Sequence, residues 1–204
     1  EFLEENVEKL TSRERGTLVH LVLQKIDLKK TYTKVELKEF IDDLVRKNII
    51  SKVQRDNIND YKIFKFLESD FAKNLKDAKE IYREKTFCTK IPAKDIYNIE
   101  TEDNILVQGI IDLYYIDNEN RVVLVDYKTD FVEEENEQEL IQKYKTQLDL
   151  YKYALESALN KKIYKTYIYS IYLKLLKSKL FFGGFPWIEW KLFSFTFCFL
   201  QECL

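Results

Sequence analysis

Methionine is missing from the 204 residues, histidine occurs once and cysteine three times. A reading frame opens with Met and this chain opens with Glu1, so the expectation is a piece of a longer protein. Cys88, Cys198 and Cys203 are odd in number and far apart. They form no C-x-x-C pair, which argues against a zinc site or a disulfide framework. A reduced, cytoplasmic protein is expected. Glu1 to Lys9 is acidic and has no long apolar run, so it does not read as a signal peptide. An excess of positive charge is also lacking: 33 Lys and Arg stand against 35 Asp and Glu, a net charge of −2. That excludes a uniformly basic nucleic-acid module. An enzyme acting on nucleic acid remains open, because a local basic groove can coexist with acidic metal ligands.

What is present is ample apolar material. Hydrophobic residues make up 46% and aromatics 15%, which excludes wholesale disorder. The first third has helical spacing. Arg13 to Ile26 carries Leu18, Val19, Val22, Leu23 and Ile26. Thr33-Lys34-Val35-Glu36 fits a capping box and precedes Leu37, Phe40, Ile41, Leu44 and Val45. Ser51 is a cap for a helix over Val53 to Leu67, with Ile58, Tyr61, Phe64 and Leu67 as its buried side. A shorter helix is expected over Asp70 to Leu75.

The period then shortens to two. Strands are expected over Glu80 to Thr89, Ile105 to Ile116 and Arg121 to Lys128, with a hairpin loop at Asp117-Asn118-Glu119-Asn120. Glu133 to Glu139 reads as an acidic, solvated stretch. Helical spacing returns over Leu140 to Leu159, and Lys165 to Leu173 is a last β-like run. The expected class is α/β, with a mixed central sheet flanked by helices and a helical N-terminal third. The expected division is residues 1–174 as one domain (1–78 helical, 79–174 catalytic core) and 175–204 as an atypical tail. That tail holds both Trp and is rich in Phe. We rank an out-of-frame, non-native extension first, a hydrophobic docking segment second and a membrane helix last. Glu189, Lys191 and Gly183-Gly184-Phe185-Pro186 argue against the last.

Two central strands end in carboxylates. Asp112 follows Ile110-Ile111, and Asp126 follows Val122-Val123-Leu124-Val125. Period two places Asp126 and Lys128 on one face and Tyr127 on the other. Pairing through the 117–120 loop brings Asp112 near Asp126. Two such anions repel, and each resists desolvation. A divalent cation resolves the conflict, and Mg²⁺ or Mn²⁺ prefers oxygen ligands. Lys128 would then orient the water or stabilise the developing negative charge. The competing reading is a structural Asp112–Lys128 salt bridge with Asp126 capping a turn. The paired spacing Asp-x13-Asp-x-Lys favours the metal site. His20 follows Gly16 and Thr17, small residues that let another element approach. Imidazole is a better ligand for Mn²⁺ than for Mg²⁺.

Gly16-x-x-x-His20, Gly109-Ile110-Ile111-Asp112, Asp126-Tyr127-Lys128-Thr129-Asp130 and Gln147-Leu148-Asp149-Leu150-Tyr151 appear in that order. Together they resemble the motifs of RecB-type nucleases of the PD-(D/E)XK superfamily. Val107 through Ser170 most resembles the C-terminal nuclease domain of AddA-type helicase–nucleases, and Arg83-Glu84-Lys85-Thr86-Phe87 resembles that family's preceding strand. The likeness covers about residues 10–174. It implies a restriction-endonuclease-like fold and a metal-dependent DNA nuclease that processes broken ends for recombination. It implies His20, Asp112, Asp126 and the Tyr127 backbone carbonyl as ligands of Mg²⁺ or Mn²⁺, and Lys128 as the catalytic lysine. Gln147, Tyr151 and Tyr144 would support the site and contact DNA. Lys143, Lys145 and Lys152 would line the path of a single strand. Implied partners are DNA, a helicase motor upstream in the same full-length chain, and a separate chain of the AddB type. The four-Cys iron–sulfur staple of some relatives is missing, and so is a G-x-x-x-x-G-K-[ST] phosphate loop. Two alternatives stay open: a stand-alone phage or mobile-element exonuclease, and a non-catalytic scaffold on a nuclease fold.

Overall fold

The computed structural model describes residues 10–94, 100–129, 137–171 and 174–177. The helices before the sheet begin where short polar side chains cap them. α1 (Ser12–Lys25) opens on Thr11, whose hydroxyl accepts the Glu14 N–H while the Glu14 carboxylate accepts the Thr11 N–H. α2 (Lys34–Arg46) opens on the predicted box of Thr33 and Glu36, built the same way. Each box satisfies donors that the helix cannot pair internally, and a cap is worth about 1 kcal/mol.

Where one helix is expected over Val53 to Leu67, the chain forms two, α3 (Lys52–Asp56) and α4 (Asp60–Glu68). The Asn57 amide turns back to donate to the Val53 carbonyl at 2.9 Å. Asn59 caps the next helix by accepting the Lys62 N–H at 3.2 Å. Side chains that compete for backbone groups break helices in this way. The break changes the helical phase. Ile63, Phe64, Phe66 and Leu67 are buried, while Tyr61, expected on that side, is 60% exposed. α5 (Asp70–Lys76) follows directly, capped by Ser69.

Five strands form one sheet in chain order: β1 (Glu80–Pro92), β2 (Asn104–Ile116), β3 (Val122–Lys128), β4 (Ile163–Ser170) and β5 (Lys174–Lys177). β2 and β3 are antiparallel, with Leu113 opposite Val125. Their loop is set by Asp117, which accepts the Glu119 N–H at 3.0 Å and the Arg121 N–H at 2.8 Å. Asn120 takes the left-handed backbone conformation that Asn tolerates. β3 and β4 are parallel, and β4 and β5 antiparallel, so the sheet is mixed. A parallel pair needs a crossover, and α6 (Glu137–Leu159) lies within it.

Several boundaries move from their expected places. β1 runs past Thr89, and β4 spans Ile163–Ser170 rather than 165–173. The end of the acidic 133–139 stretch is helical from Glu137, and residues 130–136 lie outside the described residues. β5 takes in the first residues of the expected tail. Residues 178–204, with all three readings of that tail, lie outside the described residues.

α1, α2, α4 and α5 cover one sheet face, where Leu18, Val22, Ile41, Phe66 and Leu75 join Leu113, Val123, Val125 and Tyr127. α6 covers the other, where Leu155 joins Ile111, Tyr114 and Leu124. β3 is therefore buried on both faces, which explains its unbroken apolar run. Each fully buried aliphatic side chain contributes about 1.5–3 kcal/mol. The described residues fall into two compact units, one from the ranges 10–89 and 108–177 and the other from the range 90–107. The core residues just named, and the site below, belong to the first. Among the described residues, no helix is long and apolar enough to cross a membrane.

Candidate active site

The site forms where the β2–β3 ladder gives way. After Leu113–Val125, the Asp112 carboxylate accepts the Tyr127 N–H at 2.9 Å. The N–H and C=O of one strand residue leave on the same side. The Tyr127 carbonyl therefore faces β2, while the Lys128 carbonyl faces β4 and accepts the Ile171 N–H at 2.9 Å.

α1 brings His20 to this point, and His20 Nδ1 lies 3.5 Å from Asp112 Oδ1. β1 brings Glu84. One donor atom each from His20, Glu84 and Asp112 lie within 4.8 Å of one another. Glu84 is not singled out by spacing or charge in the sequence. Its backbone is left-handed, with φ 50°, in the middle of a strand. For a residue with a Cβ this conformation costs on the order of 1–2 kcal/mol and needs support from its surroundings. The only signal in the sequence is its place in the Arg83–Phe87 run.

Asp126 points to the α6 face, as period two predicts, and is 1% exposed. Its Oδ2 lies 2.7 Å from Lys128 Nζ. Neither Asp126 oxygen accepts a well-directed hydrogen bond, although both are buried. Lys128 Nζ also donates to Gln147 Oε1 at 3.0 Å and sits 4.1 Å above the Tyr144 ring. Gln147 Nε2 in turn donates to the Tyr151 hydroxyl at 2.7 Å. Gln147 and Tyr151 are four apart on α6, hence on one face. Lys128 thus pairs with Asp126, whereas Asp112 accepts from Tyr127 and adjoins His20. That is not the Asp112–Lys128 bridge of the competing reading. Of the lysines expected along a DNA path, Lys145 pairs with Asp149 at 2.7 Å.

The electrostatics follow from crowding. Burial, reinforced by the Asp112 charge, raises the Glu84 pKa above the usual carboxylate range. Burial also raises Asp126, with Asp112 adding to the effect and Lys128 opposing it. Burial favours neutral His20, but its hydrogen bond to Asp112 and the charges of Asp112, Glu84 and Asp126 win, so its pKa is raised. Burial pushes the Tyr151 hydroxyl up to about 12, with the Gln147 hydrogen bond working against it. The two carboxylates and the imidazole that meet here, from Glu84, Asp112 and His20, suit a hard divalent cation, whereas Asp126, expected with them, is not among these clustered donors. The buried Asp126 oxygens without directed donors point the same way.

The motif set, the mixed sheet and this donor cluster define a nuclease of the restriction-endonuclease-like class. Residues 2–181 match the PD-(D/E)XK nuclease superfamily, and the chain belongs to that superfamily. Its relatives are more specific. It is 40% identical over 177 residues to the A-type subunit of the ATP-dependent helicase/nuclease of Clostridioides difficile (strain 630), covering 81% of this chain and 14% of that protein. It is 37% identical over 182 residues to the protein of that name from Clostridium perfringens (strain ATCC 13124), covering 85% and 14%. It is also 37% identical over 187 residues to that of Thermoanaerobacter sp. (strain X514), covering 90% and 14%. The chain therefore spans only 14% of the length of these relatives.

Proposed function

We propose that this chain is a divalent-metal-dependent deoxyribonuclease domain of an AddA-type helicase–nuclease. The observation that carries the reading is the meeting of His20, Glu84 and Asp112 beside the buried Asp126–Lys128 pair. His20, Asp112, Asp126 and the Tyr127 carbonyl would hold Mg²⁺ or Mn²⁺, and Glu84 joins them as a further ligand. A bound divalent cation would polarise a phosphoryl oxygen and lower the pKa of the attacking water. Lys128 stabilises the negative charge that develops on the phosphate. Gln147 and Tyr144 hold the Lys128 ammonium in place, and Tyr151 holds Gln147.

The substrate is a DNA strand separated by a helicase motor, and Lys143 and Lys152 flank its path. The biological role is processing of broken DNA ends for recombination, together with a separate chain of the AddB type. The names of the relatives support the pairing of nuclease with helicase. A calorimetric Mn²⁺ titration of the intact protein, without nucleotide, tests the reading. A binding isotherm that is lost in Asp112→Asn supports it. An isotherm unchanged by that substitution favours the non-catalytic scaffold.

A further inference from the structure

His20 reaches the site only because α1 lies at a particular depth against the sheet. Beside the core packing of Leu18 and Val22, two contacts, one toward each end of the helix, bear on that depth. Toward the N-terminal end, Gly16 is buried and faces Thr129, the residue after Lys128. A Cβ at Gly16 would meet Thr129 Oγ1 at 2.5 Å and Thr129 Cβ at 3.7 Å. The first contact requires the Thr129 side chain or α1 itself to shift, and the second is ordinary. Gly inside a helix costs about 1 kcal/mol relative to Ala. Gly16 and His20 are four apart and share one helix face.

At the C-terminal end, the Arg83 guanidinium donates to the Leu23 carbonyl at 3.3 Å and to the Ile26 carbonyl. These carbonyls are among those the helix leaves unpaired, and a cation there also complements the helix dipole. In a regular strand, Arg83 and Glu84 would point to opposite faces. The left-handed Glu84 backbone breaks that alternation. Both neighbours therefore address α1, Arg83 at its end and Glu84 beside His20.

We propose that Gly16, Thr129 and Arg83 are positioning residues that set the reach of His20 toward Asp112 and Glu84. The proposal rests on the metal-site reading above and names what adjusts that site. It separates from a plain stability role by sign. Ala is the better helix former, so Gly16→Ala would stabilise an unconstrained α1.

The test measures the Mn²⁺ dissociation constant by electron paramagnetic resonance of free Mn²⁺, on the intact protein at one pH. Thermal melting is followed alongside. Gly16→Ala is expected to weaken Mn²⁺ binding about tenfold, the scale of outer-sphere substitutions at metal sites. Gly16→Ala with Thr129→Ala is expected to return to within about threefold of Thr129→Ala alone, because the 3.7 Å contact that remains is ordinary. Arg83→Gln is expected to weaken binding about tenfold, with no rescue by Thr129→Ala. Wild-type affinity in Gly16→Ala, or a double variant as weak as Gly16→Ala, overturns the proposal. If the wild type shows no Asp112-dependent Mn²⁺ binding, the metal-site reading falls and the proposal falls with it. If that binding is present and only the Gly16 results fail, the proposal alone is wrong.

Discussion

The Asp112 carboxylate accepts the Tyr127 backbone N–H across 2.9 Å, in the place of the next rung of the β2–β3 ladder. A side chain thus satisfies a buried donor and also leaves an oxygen 3.5 Å from His20. The two tasks can be separated. Asp112→Asn keeps an acceptor for Tyr127 and is expected to hold stability within about 1 kcal/mol. Asp112→Ala strands the N–H and is expected to lose about 1–3 kcal/mol in urea unfolding. With Asp112 as the proposed metal ligand, both are expected to lower Mg²⁺-dependent DNA cleavage by more than about a hundredfold, beyond the effect of outer-sphere changes.

The Lys128 ammonium is held by Asp126, Gln147 and the Tyr144 ring together. Gln147→Ala removes one holder and is expected to cost about tenfold in cleavage rate with metal affinity unchanged. Lys128→Arg should not retain activity, because a planar guanidinium does not replace a compact ammonium. Single-turnover rates with Mn²⁺ affinity measured in parallel check both.

Gly109 lies under the Phe87 ring, and a Cβ there would meet Phe87 Cε1 at 2.8 Å. Phe87 also stacks edge-on against Tyr151, with ring centroids 5.5 Å apart. Gly109→Ala is expected to cost about 1–3 kcal/mol by overpacking. Adding Phe87→Leu should recover part of that loss. Urea unfolding midpoints of the two single variants and the double variant decide the point.

Asp117 sets the hairpin that brings β2 and β3 into register. Burial works against its ionisation, but hydrogen bonds from the Arg121 N–H and guanidinium, and then from the Glu119 N–H, hold its pKa below the usual value of 3.8. A depressed carboxylate contributes its stability above the unfolded-state pKa and loses it as pH falls through the folded-state value. The acid limb of a stability–pH curve below about pH 4 should therefore be shallower in Asp117→Asn. Thermal melts from pH 2 to 7 provide the check.

The sequence is most legible where the signal is local. The Thr33–Glu36 box, the 117–120 loop and the 3.6-residue stripes of α1 and α2 all depend on neighbours in the chain. The placement of Asp126 and Lys128 on one face follows from strand period alone. The break between α3 and α4 escapes a reading by period because Asn57 and Asn59 outweigh a continuous apolar stripe, and Tyr61 is misplaced with it. Glu84 is hidden for a different reason. Its role depends on a left-handed φ and on His20 and Asp112, which are distant in sequence. Arg83 is hidden in the same way, because its partners are carbonyls of α1.

The most direct measurement is Mg²⁺-dependent cleavage of single-stranded DNA by the intact protein carrying Asp126→Asn, with strand separation followed in the same preparation. The account predicts loss of cleavage by more than about a hundredfold with unwinding retained. Undiminished cleavage with normal unwinding would contradict it.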